Sequence, residues 1–236
     1  MDASATRAAI RPCSISSPTR RGRRRRCGRV LREVVPVRAG ILAVDDTSFP
    51  KQGRHSVGVK RQYCGALGKI ANCQVAVSTV LLDDQLAWPL SFELYLPKEW
   101  VADAARRATA RIPEGVRFRE KWRIALTHIR RVLKAGFQLT AVVADADYGS
   151  TAASRRGLEQ LGLRYGVAIR WFLTMWTPGA RHVQTAAAIA AQMPERDWQR
   201  VSWANGTKGP LAARFAALRV RPARAGASAG SCANAP

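Results

Sequence analysis

Two acidic clusters, each closing an apolar run, hold the residues best suited to chemistry in this 236-residue chain. They are Gly40-Ile41-Leu42-Ala43-Val44-Asp45-Asp46-Thr47 and Leu139-Thr140-Ala141-Val142-Val143-Ala144-Asp145-Ala146-Asp147-Tyr148-Gly149. Each run has the composition of a short buried strand that delivers carboxylates to its C-terminal edge, where open α/β sheets place their sites. Charge at the end of a buried strand is costly unless it is paired or binds a cation. Two such edges side by side would make a divalent-metal site. Mg²⁺ takes oxygen ligands, and paired metals activate the attacking and leaving oxygens of phosphoryl transfer. The plainer role is turn capping, by Asp45 or Asp46 with Thr47 and by Asp147 before Tyr148-Gly149. Side chains alternate along a strand, so Asp45 and Asp46 cannot both reach one ion if the strand stays regular.

The elements that must carry these residues can be read from periodicity. Ile41–Asp45, Ser56–Tyr63, Cys73–Leu82 and Trp88–Leu96 read as strands, with Gly65–Lys69 turning the second into the third and Pro89 tolerated near a strand start. Lys98–Arg111 reads as a short polar helix. Phe118–Ala135 is amphipathic: Phe118, Trp122, Ala125, Leu126, Ile129, Val132 and Leu133 recur at three- and four-residue steps, and Gly136 caps the end. Its other face carries Arg119, Lys121, Arg123, Arg130, Arg131 and Lys134, and His128 reads as a surface residue among them. Gln138–Asp145 presents the second acidic cluster. Ser150 reads as the N-cap of a helix reaching Leu161, and Leu163–Trp171 as a strand. Val183–Gln192 reads as helix, Trp198–Trp203 as strand and Asn205–Pro210 as loop. Three consecutive antiparallel strands, then helices and a parallel strand, suit an RNase H-like mixed α/β sheet with flanking helices.

The residues around the acids carry a family resemblance. Asp45-Asp46-Thr47-Ser48-Phe49-Pro50-Lys51-Gln52-Gly53, with Ser56-Val57-Gly58-Val59 and Arg61-Gln62-Tyr63-Cys64-Gly65, resembles the first catalytic block of DDE transposases of bacterial insertion sequences. Val143-Ala144-Asp145-Ala146-Asp147-Tyr148-Gly149 is similar to the second aspartate motif, and the resemblance runs from about Ile41 to Leu218. It implies an RNase H-like fold and DNA cleavage by two metal ions, Mg²⁺ or Mn²⁺, held by two aspartates and a glutamate. The first two acids fall on Asp45 and Asp145. The third lies in this branch in a Tyr-x-x-Arg-x-x-x-Glu setting after a β-rich insert. The only acids after Asp145 are Asp147, Glu159, Glu195 and Asp197, none in that setting, so the expectation is a chain that stops before its third ligand. The implied partner is double-stranded DNA at transposon ends, with Lys51, Arg54 and Lys60 close enough to the first aspartate to touch a phosphate. A homodimer on DNA stays open. Asp145-Ala146-Asp147 also resembles the D-x-D of haloacid-dehalogenase-type phosphatases, but Gly149 stands where a Thr or Val belongs.

The expected organisation is an Arg-rich disordered segment (1–39), a partial DDE core (40–172), the start of the insert (173–220) and a disordered tail (221–236). The net charge of +23 fits a polyanion partner, whose binding weakens as salt rises. Arg20 to Arg26, six arginines and a glycine, interrupts any signal-peptide core, and the segment reads equally as a phosphate-gripping arm or as out-of-frame translation. No run of about 18 apolar residues suggests a membrane span, so a cytoplasmic location is expected. Five cysteines form no C-x-x-C pair and lie at no zinc spacing to the three histidines. The seven tryptophans read as core or insert packing.

Overall fold

The computed structural model describes residues 33–207 and 209–223; the expected N-terminal arm and C-terminal tail lie almost wholly outside them. The chain falls into two compact units. Among the described residues, one comprises those up to Val143 with Gly157–Tyr165, the other Ala144–Arg156 with those from Gly166 onward.

The first unit is built on β3 (Lys69–Leu82), fourteen residues with three valines, an isoleucine and two leucines. Its side chains alternate, with Cys73, Val75, Val77, Thr79 and Leu81 buried, the period-two signature of a strand with one face in the core. One edge of β3 pairs antiparallel with β1 (Ala39–Pro50), from Ile41↔Leu82 to Pro50↔Cys73. The other edge is shared: β2 (Lys60–Cys64) takes the first part, Lys60↔Cys73 to Cys64↔Lys69, and β4 (Ala87–Leu94) takes the second, Ala76↔Leu94 to Leu82↔Ala87. With β5 (Gln138–Ala144) and β6 (Tyr165–Val167), the sheet order is β2-β3-β1-β5-β6, and β4 pairs β3. The Gln138 N–H donates to the Arg38 carbonyl at 2.7 Å. Strands β1 and β5 therefore begin side by side and run in the same direction, which makes the sheet mixed. Antiparallel β1, β3 and β4, then helices, then a parallel strand beside β1 is the RNase H-like arrangement expected above.

Two short helices, α1 (Lys98–Ala102) and α2 (Ala104–Thr109), stand where one helix was expected. Asp103 breaks the run, because its extended backbone caps α2 and its side chain accepts from the Arg106 N–H. Helix α3 (Lys121–Lys134) packs on β3 and β4. It buries Ile124, Leu126, Ile129 and Val132, each worth roughly 1.5–3 kcal/mol when fully removed from water. Gly136, at φ 86°, ends it in the left-handed conformation that glycine adopts without strain. His128, expected on the surface, is 1% exposed: its Nε2 lies 3.4 Å from the Glu93 carboxylate on β4, and Arg119 and Arg131 also reach that carboxylate. The basic stripe of α3 is thus partly turned toward a half-buried acid.

In the second unit α4 (Ala146–Gly149) follows Asp145 directly, and α5 (Ala152–Gln160) starts two residues after Ser150. Ser150 is the C-cap of α4, and its hydroxyl accepts from the Arg170 N–H at 2.9 Å; it does not cap α5. The strand expected over Leu163–Trp171 is reduced to β6. Two small sheets follow. In one, β7 (Thr174–Trp176) pairs with β8 (Gln184–Thr185) and β11 (Arg221–Pro222). The other is a hairpin of β9 (Gln199–Gly206) and β10 (Gly209–Phe215). Helix α6 (Ala186–Gln192) is capped by Thr185. Packing claims only some of the tryptophans: Trp100 is buried, whereas Trp171 and Trp203 are largely exposed. No helix among the described residues is long and apolar enough to cross a membrane.

Candidate active site

Asp45 does not end its strand, as its sequence suggested; β1 continues through Thr47, Ser48, Phe49 and Pro50 because β3 offers a partner as far as Cys73. The carboxylate therefore projects from mid-strand. Leu42 and Val44 are buried, so Asp46 shares their face and Asp45, which is exposed, occupies the opposite one. Asp45 is held by its surroundings at the backbone: its carbonyl accepts from the Ser78 hydroxyl at 3.1 Å, and its Oδ1 accepts from the Asp46 N–H at 2.7 Å. Among the described residues no cation lies within ion-pair distance of it. Asp46 differs, since its Oδ2 receives the ammonium of Lys121 from the first turn of α3. That ammonium also lies 5.5 Å from the centre of the Tyr95 ring. Burial pushes the Tyr95 phenol above its usual range, with the Lys121 charge opposing the shift.

In the other unit, Asp145 is the N-cap of α4, and its Oδ1 accepts from the Asp147 N–H at 3.0 Å. It is exposed. Asp147 is paired with the Arg170 guanidinium at 2.6 Å. The two nearest competitors for a metal-ligand role, Asp46 and Asp147, are thus each joined to a side-chain cation. Lys121 and Arg170 supply those cations from 75 and 23 residues downstream, too far for any local pattern to have marked them. Among the described residues no group of three or more His, Cys, Asp or Glu side chains is gathered as a metal cluster. Asp45 and Asp145 carry exposed carboxylates, oxygen donors of the kind a hard divalent ion takes.

Lys51, Arg54 and Lys60 lie on or beside the loop that leaves β1. Lys51 returns to the sheet through its N–H, which donates to the Asn72 carbonyl at 2.8 Å. The Asn72 amide in turn donates to the Lys51 and Gly53 carbonyls at 2.9 and 2.8 Å. Arg54 is exposed. Lys60 is not a free cation, because its ammonium is 2.5 Å from Glu99. That hydrogen bond holds the Glu99 carboxyl below the usual glutamate range.

Residues 12–210 match the family model described as DDE superfamily endonuclease. A curated protein described as a probable transposase for insertion sequence element IS701, from Microchaete diplosiphon, is 36% identical over 139 residues, which cover 58% of this chain and 34% of that protein. The chain thus spans about a third of the length of this curated relative. Among solved structures, the Drosophila P element transposase strand transfer complex aligns at a TM-score of 0.24 with 11% identity, over 65% of this chain and 34% of that one.

Proposed function

We propose that this chain, which belongs to the DDE superfamily endonucleases, acts on the DNA of an insertion sequence as part of a transposase, through Asp45 and Asp145 and a divalent ion, Mg²⁺ or Mn²⁺. The observation that carries the reading is the parallel pairing of β1 with β5. Arg38 and Gln138 are hydrogen-bonded neighbours at the start of the two strands. Asp45 stands seven residues after the first and Asp145 seven after the second. Parallel neighbours advance together, so the chain reaches Asp45 along β1 and Asp145 just after β5 in one direction, the direction in which open α/β sheets place their sites. The pairing of Asp46 with Lys121 supports Asp45 as the first ligand.

When bound, a divalent ion supplies charge for the attacking and leaving oxygens of a phosphodiester. Asp45 would present its second carboxylate oxygen to the ion while Oδ1 keeps the Asp46 N–H, which fixes the side-chain rotamer. Asp145 would do likewise while its Oδ1 caps α4. The acids after Asp145 are engaged elsewhere: Asp147 by Arg170, Glu159 by the Tyr165 hydroxyl at 2.7 Å, Glu195 by Arg214 at 2.5 Å and Asp197 by Arg196 at 4.0 Å. With two carboxylates a first ion is held weakly and a second has no dedicated ligand. The function proposed for this chain on its own is therefore duplex binding without efficient cleavage. The dehalogenase-type reading of Asp145-Ala146-Asp147 gains nothing from the family match.

Two measurements test this on purified protein: filter binding to duplex DNA across a salt series, and metal-dependent nicking of an end-labelled duplex. Salt-sensitive binding without nicking is expected, together with Mn²⁺ binding that weakens in Asp145→Ala. Robust Mg²⁺-dependent nicking that disappears in Asp45→Ala would show that another acid completes the site. Mn²⁺ binding unchanged by both Asp45→Ala and Asp145→Ala would overturn the ligand assignment.

A further inference from the structure

A cleft of about 310 Å³ lies in the first unit, between the loop after β1, β2 and the paired helices α1 and α2. Arg54, Lys60, Arg61 and Arg106 line it, against the single acid Glu99, with Trp100 among the lining residues. Lys60 is occupied by Glu99 at 2.5 Å. Among the described residues no carboxylate lies within ion-pair distance of Arg54, Arg61 or Arg106. Three arginines thus converge on one small space without a compensating charge, an arrangement that repels itself unless an anion joins it.

The cleft is also built rather than loose. Trp100 is 1% exposed, and its indole N–H donates to the Val59 carbonyl at 2.8 Å, which locks the ring. The Arg106 guanidinium lies over that ring, its central carbon 3.6 Å from the ring centre, and donates one hydrogen bond to the Arg54 carbonyl at 2.8 Å. A guanidinium has five N–H donors, so four remain, in a planar fork that suits a phosphate. The loop carrying Arg54 is pinned by Asn72 through Gly53. The Arg106 side chain and the backbone carrying Arg54 therefore have little freedom left to lose on binding. The volume is at the lower limit of ligand pockets and suits a phosphate group rather than a drug-sized molecule.

We infer that Arg54, Arg61 and Arg106, on the Trp100 platform, form a phosphate cradle that grips the backbone of the duplex, away from the carboxylates. This rests on the reading of the chain as a DNA-acting protein, and it replaces Lys51 and Lys60 with Arg61 and Arg106 as the phosphate ligands beside Arg54. The same oxyanion chemistry could be met by free phosphate, and the test separates the two sources.

The test uses the full chain, as wild type, Arg54→Gln, Arg61→Gln, the double variant and Arg61→Lys. Both arginines are exposed, so matching thermal melts are expected throughout. Duplex affinity is measured from low to moderate salt. Each phosphate contact contributes a slope of about 0.9 in log K against log salt, which is about eightfold in affinity at 0.1 M. The double variant should lose about 1.8 in slope, each single Gln variant about 0.9, and Arg61→Lys almost none. Calorimetry with inorganic phosphate alone forms the second arm and should show no binding below millimolar concentrations. A salt-sensitive wild type whose slope the double variant leaves unchanged would overturn the cradle and leave the proposed function standing. A wild type that does not bind duplex would overturn both. Sub-millimolar phosphate binding that the double variant abolishes, with an unchanged duplex slope, would overturn the DNA backbone as the occupant in favour of a free anion.

Discussion

The pairing of Asp46 with Lys121 ties β1 to α3 and sets Asp46 apart from Asp45, the proposed metal ligand, so removing it is a direct test of that proposal. The two side chains are 18% and 26% exposed, too buried for a solvated surface pair and too open for a fully desolvated one. At about 3 Å and an effective dielectric constant of roughly 20, their attraction is about 5 kcal/mol before desolvation. Exposed pairs retain roughly 0.2–1 kcal/mol of such an attraction, and breaking a buried pair costs about 3–5 kcal/mol. A coupling of about 1–2 kcal/mol is therefore expected from a double-mutant cycle of Asp46→Asn and Lys121→Met, read by urea denaturation. The Lys121 contact with Tyr95 survives in Asp46→Asn and cancels in the cycle. The same variants then go into a Mn²⁺ titration. Asp46→Asn should bind within about threefold of wild type, while Asp45→Asn should lose about tenfold or more, at least the loss seen when an outer-shell partner of a metal ligand is removed. A coupling below about 0.5 kcal/mol, or a larger metal defect in Asp46→Asn than in Asp45→Asn, would refute the division of roles.

Three further outcomes are expected. Trp100→Phe removes the indole N–H from a buried carbonyl acceptor and leaves a gap in a core of Val59, Leu96 and Trp100; a loss of about 2–4 kcal/mol in denaturant stability is expected, and less than 1 kcal/mol would mean the ring is not fixed as described. A Cβ on Gly149 would stand 2.0 Å from the Ala168 carbonyl oxygen and 2.8 Å from the Val167 Cβ, so Gly149→Ala should destabilise its unit by about 1–3 kcal/mol or more; an unchanged melting temperature would contradict the close approach. The Glu99 carboxyl is depressed by the Lys60 hydrogen bond, so its small contribution to stability is present above the ordinary glutamate range and is lost as pH falls through the lowered value. Lys60→Met should return the Glu99 titration, followed by NMR, toward the ordinary range; an unmoved titration would show that another group holds it down.

The strands were legible where burial writes a period into the sequence and illegible where pairing alone sustains them. The end of β3 at Leu82 and the start of β5 at Gln138 follow from apolar alternation. The extension of β1 past Asp45 runs through polar Thr47 and Ser48, and only the register with β3 keeps it extended. The break between α1 and α2 did have a local signal, Asp103 as an N-cap, which the polar helix pattern around it obscured. The burial of His128 had none, because Glu93, which makes that burial tolerable, stands 35 residues earlier on another element. The choice of Asp45 and Asp145 as the proposed ligands rests on motif and strand reading together. The cations that occupy their neighbours, and the Arg61 and Arg106 side of the cradle, come from elements that the sequence keeps apart.

The position of β1 between β3 and β5 also has a consequence for synthesis. Once Leu82 has left the ribosome, β1 can gain its antiparallel partner, but its other edge waits for Gln138–Ala144. Roughly 60 more residues must be made, which takes about 3–12 s at 5–20 residues per second. During that interval the edge that includes Leu42 and Val44 offers unpaired N–H and C=O groups to any other nascent strand, and the long segment from Lys98 to Lys134 gives it no strand of its own to pair with. Slower translation of this stretch would lengthen the exposure, so synonymous changes between the codons of Leu82 and Gln138, which alter no residue, should change the soluble yield of the protein.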